Sequence, residues 1–520
     1  MSTSKYDEEA FEALIEKALV GSTLEERKAQ DITAANVDEQ TPGANQYYWG
    51  VPKDLKHKGN ENWAIDTRRL MSFLHATQQE ILDTYKGRKS LEVAIPEQIS
   101  KKIETYGIVE VLRKGIDVEN MSTLTLFYPK PSPADSEISR EKYAMNQFSI
   151  TRQQTYSLLH PGDEIDMVLY VNGLPLFTFE WKNPTTGQTA RYDGQKQYAK
   201  DRNPKDKLLS FGRCLAHFTG DKNEIYFTTK LAGEKDTYFM PFNQGLPNGK
   251  GAGNPVNPCG YKTSYLWEWV LQKDTVADII MNYACFDYGE AKTGKKVAHI
   301  MKNAKKLIFP RFHQLDVVTR LLADVSEKGV GERYLIQHSA GSGKSNSLTW
   351  LAYQVINVCP QTMNAKRAKG LNEKLFNSAI VVTDRRLLDR QISDNIKAFG
   401  QSEDIIVHAS TSRELQDAIE SNKRIIITTI QKFPYICDTI KDVSDRNFAI
   451  IIDEAHSSQS GIASDKANET FQKDDDQKGG DTDELIEQLM ANRKMSTNCS
   501  YFAFTATPSE RPWSDSDGKM

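Results

Sequence analysis

The sequence predicts an α/β protein in two parts, a domain on a mixed sheet followed by a domain on a parallel sheet. Three observations carry this expectation. Between Met145 and Phe242 the apolar pattern has a period of two, in "FSI", "IDMVLYV", "LPLFTFEW", "EIYFTT" and "TYFMPF", which is the signature of strands. From Lys306 onward short apolar strands alternate with helices, in "YLIQH", "LTWLAYQVIN", "SAIVVT", "IIITTI", "FAIIID" and "YFAFTATP". Strands without internal polar residues, joined by helical crossovers, indicate a parallel sheet covered on both faces. Between the two lies "NQGLPNGKGAGNPVNPCGYK" (Asn243 to Lys262), a loop by its Gly, Pro and Asn content, followed by helical "LWEWVLQKDTVADIIMNY". The boundary is placed near residue 290, giving domains 1–290 and 291–520.

The N-terminal part opens with "DEEAFEALIEKALV" (residues 7–20), where Phe11, Leu14, Ile15 and Leu19 recur at helical spacing with acids in the first turn. "WAIDTRRLMSFLHATQQEIL" (Trp63 to Leu82) is a second helix. Strands follow from about Met145. "NGLP" (Asn172 to Pro175) marks a hairpin turn between two of them. In the C-terminal part, "SDKANETFQKDDDQKGGDTDE" (Ser464 to Glu484) is polar and charged and is expected to be a surface loop without an assigned role.

Composition narrows the class without naming a partner. The 520 residues, 39% of them apolar, suffice for roughly two to four domains. Lys and Arg number 66 against 70 Asp and Glu, a net charge of −4, so nucleic-acid binding has to come from local patches. The six cysteines are scattered with no CxxC pair, which argues against a structural zinc site or a disulfide scaffold. The acidic start is unlike a signal peptide and no run of about 18 apolar residues occurs. A cytoplasmic protein that enters no membrane is expected.

"LIQHSAGSGKSNSLTWL" places a loop of small residues between a strand and a helix. Ala340, Gly341, Ser342 and Gly343 let backbone N–H groups close on phosphate oxygens, Lys344 reaches the terminal phosphates of ATP, and the Ser345 hydroxyl holds Mg²⁺. His338 stands where the phosphate-loop pattern has its first Gly. Further on, "FAIIIDEAHSSQ" ends a buried strand in Asp453, placed to take Mg²⁺ through water, and Glu454, placed to orient or deprotonate the attacking water.

A different chemistry is expected at the end of "LPLFTFEWKNP". In an extended strand Glu180 and Lys182 point to one face and Trp181 to the other. The hairpin brings Asp166, on the preceding strand, back toward them. Two carboxylates and a lysine at one end of a sheet can bind Mg²⁺ and position a water for phosphodiester cleavage. An exposed ion pair at a strand end is the plain alternative. Glu12 in the first helix could add a carboxylate; an exposed helix acid is the alternative there.

"DEAH", the phosphate loop and "FTATP" (Phe504 to Pro508) resemble motifs of superfamily 2 helicases and translocases. The resemblance makes "FPRFHQ" an adenine-reading Q motif, with Gln314 as the reader. It makes "VVTDRRLLDRQ" and "TTIQKF" DNA-contacting motifs through Thr383, Arg385, Thr429 and Gln431, and implies that Thr505 and Thr507 couple ATP state to DNA grip. "EID…EWK" resembles the PD-(D/E)xK nuclease arrangement. Taken together, with "VLYVNGLPLFTFEWKNP" and "IIDEAHSSQ", the chain resembles the restriction (R) subunit of type I restriction-modification enzymes. That implies a PD-(D/E)xK domain followed by one RecA-like lobe. It also implies ATP and Mg²⁺ as cofactors, duplex DNA as substrate, and methylation (M) and specificity (S) subunits as partners. Such nucleases often carry a QxxxY helix; here Gln188 with Tyr192 and Gln195 with Tyr198 both stay open. The chain stops shortly after "TATP", before a second RecA-like lobe with its arginine finger, so it is expected to bind ATP with little turnover and no translocation. The alternatives are a superfamily 2 ATPase of another DNA-processing system with a non-catalytic docking domain, or an assembly module that occupies the M subunit.

Overall fold

The computed structural model describes residues 3–30, 40–51, 55, 63–118, 121–158, 160–247, 251–289, 299–339, 341–383, 405–432, 440, 443–453 and 497–505. The chain divides into two compact units, Met1–Pro131 with Ser136–His313, and Ser132–Asp135 with Gln314–Met520. The first unit thus runs past the boundary at 290 expected from the sequence. The cause is a short antiparallel pairing of β8 (Cys285–Asp287) with β9 (Lys306–Ile308), which returns the chain to the first unit.

The first unit contains α1 (Thr3–Val20), α2 (Leu24–Ala29), β1 (Tyr48–Trp49), α3 (Thr67–Leu82), α4 (Leu91–Tyr106), α5 (Ile108–Lys114), α6 (Glu137–Ala144), β2 (Phe148–Thr155), β3 (Glu164–Val171) and β4 (Leu174–Trp181). These are followed by β5 (Ala216–Gly220), β6 (Ile225–Thr228), β7 (Met240–Pro241) and α7 (Lys273–Asp278), ahead of β8 and β9. β1 to β7 form one seven-stranded sheet in chain order. The β2–β3–β4 and β5–β6–β7 pairings are antiparallel, whereas β1–β2 and β4–β5 are parallel. This is the mixed sheet expected from the period-two pattern. Helix α1 starts earlier than the sequence suggests, so Glu8 and Glu9 fall in its second turn. The segment expected as one helix over 266–283 is divided, with π-type turns at Leu266–Val270 and Ile279–Tyr283 on either side of α7.

Strand β4 sits at the centre of the sheet and every residue in it is buried. Its two faces differ. Phe177, Phe179 and Trp181 share one face, with Phe179 and Trp181 stacked at 5.3 Å; Phe177 and Phe179 meet Phe218, itself in contact with Phe227 and Phe242. Each such ring pair contributes about 0.5–1.5 kcal/mol beyond area burial. Phe11 of α1 packs edge-on against Trp181 at 5.5 Å. The opposite face of β4 presents Thr178 and Glu180.

The β3–β4 turn is the two-residue hairpin expected from "NGLP". Asn172 and Gly173 both have positive φ, 49° and 78°, the combination that suits the twist of a tight hairpin. The Asn172 side chain is buried; its Oδ1 accepts the Gln147 N–H (2.7 Å) and its Nδ2 donates to the Leu126 carbonyl (2.9 Å). Gly173 packs on the start of α3, where Asp66 N–H donates to its carbonyl at 2.9 Å.

The second unit contains α8 (Phe312–Lys328), β10 (Arg333–Gln337), α9 (Lys344–Val355), β11 (Ser378–Thr383), β12 (Ile406–His408), α10 (Ser412–Glu420), β13 (Ile425–Thr429), β14 (Phe448–Ile452) and β15 (Cys499–Thr505). The six strands form a sheet in the order β10-β15-β14-β11-β13-β12, every neighbouring pair parallel. This is a RecA-like lobe. β11 and β14 are buried throughout, as near-continuous apolar strands of a parallel sheet should be. "LTWLAYQVIN" lies largely in α9 rather than in a strand; it follows directly on the phosphate loop, where the chain opens a helix.

A Cβ on Gly173 would lie 2.2 Å from the Asp66 carbonyl oxygen and 2.8 Å from Leu70 N, at a φ that side chains avoid. Gly173→Ala is expected to destabilise the first unit by about 1–3 kcal/mol, measured as a lower midpoint in urea unfolding of the full chain.

Candidate active site

The antiparallel register pairs Met167 with Phe179, so Asp166 and Glu180 come next to each other one residue beyond. The Trp181 N–H donates to Asp166 Oδ2 at 2.7 Å. Lys182 follows at once; its Nζ donates to the Trp181 carbonyl at 2.7 Å and to Glu8 Oε1 at 3.2 Å. Asp166, Glu180 and Lys182 are therefore assembled at one end of the β3–β4 hairpin. Lys182 is only 8% exposed and Glu180 fully buried, so the plain alternative of an exposed ion pair does not hold. Asp166, Lys182, Glu8, Glu12, Gln188 and Arg202 are among the residues lining a cleft of about 610 Å³.

Burial sets the electrostatics here. It raises the Glu180 carboxyl well above the ordinary range, with the Asp166 charge adding to the shift and Arg202 and Lys182 opposing it. Asp166 is likewise raised by burial, against Lys182, the Trp181 N–H and Arg202. For Lys182, burial pulls the pKa down, but Asp166, Glu8 and Glu180 together outweigh it and hold it above the usual lysine value. The group is an ammonium at neutral pH. Arg202 donates to Glu180 Oε1 from Nε at 2.8 Å and lies 2.6 Å from the same oxygen through its second terminal nitrogen. Glu180 Oε2 is buried without a hydrogen bond.

Glu12 is buried, not exposed on its helix. It accepts from Arg152 Nε at 3.2 Å, and Arg152 also bonds Glu16 and Glu25. Burial, then the Asp166 charge, pushes the Glu12 carboxyl up to about 8 against the pull of Arg152. Glu8, Glu12 and Glu16 are four residues apart, so they share one face of α1. That spacing is the signal in the sequence from which the whole acidic face could be inferred. No motif marks Arg202.

Of the two Gln/Tyr pairs, Gln188 lines the cleft while Tyr192 is 69% exposed. Tyr198 is buried, its hydroxyl 2.7 Å from Thr178 Oγ1, which also contacts His217 Nδ1 at 2.8 Å. This chain of contacts lies on the same face of β4 as Glu180.

In the second unit β10 leads into the loop and α9 begins at Lys344, capped by Gly343 with φ 84°. Lys344 Nζ lies 3.0 Å from Asp453 Oδ1, at the carboxyl end of β14. Ser345 occupies the first turn of α9. His338 Nδ1 is 3.1 Å from Ser342 Oγ and the His338 backbone N–H donates to the Thr505 carbonyl, which ties the loop to β15. Gln314 Nε2 donates to the carbonyls of Ser342 and Gly343 at 3.2 and 2.9 Å, so its amide rests on the phosphate loop. Thr383 and Thr429 are register partners at the ends of β11 and β13, the first fully buried and the second half-buried. Burial removes the Thr383 side chain from a surface contact. Gln431 lies in a short 3₁₀ turn, Ile430–Lys432. Ala340, Arg385, Glu454 and Thr507 lie outside the described residues, as does the loop 464–484.

Fold and site together define an ATPase lobe with a P-loop, preceded by an α/β domain that carries a carboxylate–lysine cleft. Residues 12–236 match the family model described as type I restriction enzyme R protein N terminus, and residues 313–518 match the SWI2/SNF2 ATPase model. In both parts the chain is similar to R subunits of type I restriction enzymes. It is 25% identical over 431 residues to the type I restriction enzyme HindI endonuclease subunit of Haemophilus influenzae, covering 77% of this chain and 34% of that protein. It is 24% identical over 406 residues to the MjaIXP endonuclease subunit of Methanocaldococcus jannaschii, covering 71% and 32%. The chain thus spans about a third of the length of the curated relatives it matches. Among solved structures, the Pyrococcus furiosus Hef helicase domain is similar over 39% of this chain and 34% of its own, at 16% identity and a TM-score of 0.24. Among the described residues no helix is long and apolar enough to cross a membrane.

Burial alone lowers the His217 imidazole from its ordinary value to about 3. The folded chain keeps His217 neutral, whereas the unfolded chain takes up its proton below about pH 6.5. Stability attributable to this group is complete above pH 6.5 and lost as pH falls toward 3, at up to about 1.4 kcal/mol per pH unit. His217→Gln should flatten the acid limb of a plot of unfolding free energy against pH.

Proposed function

We propose that this chain carries the nuclease and the first motor lobe of a type I restriction R subunit. The first unit acts as a PD-(D/E)xK nuclease that cleaves duplex DNA phosphodiesters with Mg²⁺. The observation that carries the reading is the Trp181 N–H to Asp166 bond, which seats Asp166 with Lys182 in the lining of one cleft and beside Glu180, buried just behind it. The donor set fits a hard divalent cation: two adjacent carboxylates, one with a buried oxygen that lacks a hydrogen bond. Among the described residues no group of three or more His, Cys, Asp or Glu forms a ready-made metal cage. When bound, Mg²⁺ supplies a water of lowered pKa and neutralises charge developing on the phosphate.

Asp166 and Glu180 hold the cation. Lys182, kept charged by the acids around it, orients the attacking water and donates to the phosphate oxygens. Glu8 anchors the lysine ammonium from α1. In the second unit the loop through Ala340, Gly341, Ser342 and Gly343 cradles ATP phosphates, and Lys344 leaves Asp453 to reach them. Ser345 and Asp453 hold the Mg²⁺ of the nucleotide, and Glu454 orients the hydrolytic water. Gln314, already on the loop, reads adenine. Thr429 and Gln431, with Arg385, are assigned to the DNA backbone. Translocation of duplex DNA and assembly with M and S subunits are proposed for the whole protein, in the cytoplasm.

The test is nicking of supercoiled plasmid by the chain with Mg²⁺ or Mn²⁺, alone and with the M subunit. Cleavage should vanish with chelator and fall by about 10²-fold or more in Lys182→Ala. Cleavage unchanged in that variant would sink the nuclease reading. Separately, Lys344→Ala should weaken binding of a fluorescent ATP analogue by about tenfold or more, through loss of a charged phosphate contact.

A further inference from the structure

Arg202 approaches Glu180 in an unusual way. A guanidinium that pairs with a carboxylate commonly spreads two N–H groups over two oxygens. Here Nε at 2.8 Å and the terminal nitrogen at 2.6 Å both fall on Oε1. Oε2 is left buried and without a hydrogen bond, on a side chain with no exposure. Arg202 is also fixed in place. Its side chain is 10% exposed, it follows the π-type turn Gln197–Asp201, and its guanidinium lies over the Tyr156 ring at 5.8 Å.

An oxygen that already accepts one charged N–H and lies against a second guanidinium nitrogen is a poor further ligand, so Glu180 offers one oxygen and not two. Cations differ in what they ask of a carboxylate. Ca²⁺ takes six to eight oxygens in loose geometry and readily accepts bidentate carboxylates, whereas Mg²⁺ needs a near-ideal octahedron, and Mn²⁺ shares that preference. We propose that Arg202 is the positioning residue that sets cation choice at this cleft: by occupying Oε1 it confines Glu180 to single-oxygen ligation, favouring small octahedral cations over Ca²⁺. The proposal rests on the reading of Asp166 and Glu180 as metal ligands.

The experiment is isothermal titration of the full chain, without nucleotide, with Mn²⁺ and separately with Ca²⁺. It compares wild type, Arg202→Met, Arg202→Lys and Glu180→Gln. Wild type should bind Mn²⁺ more tightly than Ca²⁺, and Glu180→Gln should lose the cleft isotherm. Arg202→Met should narrow the Mn²⁺/Ca²⁺ affinity ratio by about tenfold or more through a gain for Ca²⁺. Arg202→Lys keeps the charge but not the paired N–H groups, and should fall between. A partly unfolded sample lowers the stoichiometry for both ions and leaves the ratio alone; if the Met variant does not fold, the same ratio in the Lys variant decides. An isotherm that survives Glu180→Gln would overturn the metal reading of the carboxylate pair, and this proposal with it. Binding lost in Glu180→Gln with an unchanged ratio in both Arg202 variants would overturn the role of Arg202 alone.

Discussion

The Asn172–Gly173 turn decides where the charged groups of the β3–β4 hairpin fall. Side chains alternate along a strand, so a slip of one residue would exchange the two faces of β4, putting Glu180 among the phenylalanines and Trp181 in the cleft. The turn resists this because both of its residues take positive φ, the Asn172 amide is bonded on both sides, and Gly173 packs against backbone atoms of α3. From that register follow the Trp181 to Asp166 hydrogen bond and the adjacency of the two acids.

A strand buried on both faces can hold charge only if each charge is compensated. The aromatic face needs nothing of the kind. On the polar face Arg202 answers Glu180, while Glu8 and the Trp181 carbonyl answer Lys182. The same rule governs the neighbouring Arg152, buried among Glu12, Glu16 and Glu25. Cleft and acidic helix face thus form one set of mutually compensating charges on the first unit.

The legible parts of this protein were those in which local pattern and tertiary role agree. Period-two segments became the mixed sheet, apolar runs became the parallel sheet, and "NGLP" became the hairpin. Asp166, Glu180 and Lys182 could be named because an apolar strand ending in charge asks for a partner on the preceding strand. Arg202 could not, since its role depends on the path of π-type turns that no residue pattern encodes. Glu12 was ambiguous because an acid on a helix is exposed by default, and only the opposing Arg152 on β2 makes its burial tolerable. "LTWLAYQVIN" shows the limit of apolar runs as a guide: its length suits strand or helix, and the loop ahead of it settles the matter.

Helix α1 has a consequence for how the molecule comes together. Its Phe11 rests on Trp181 and its Glu8 on Lys182, a contact that spans 174 residues of chain. Closing so long a loop costs entropy before any contact returns it, and such pairings form late. On a ribosome the first helix would be made long before its partner strand emerged, and would wait with its apolar stripe uncovered. Docking α1 would then be among the last steps to mature the cleft, so a nascent chain would acquire its hairpin before its anchored lysine.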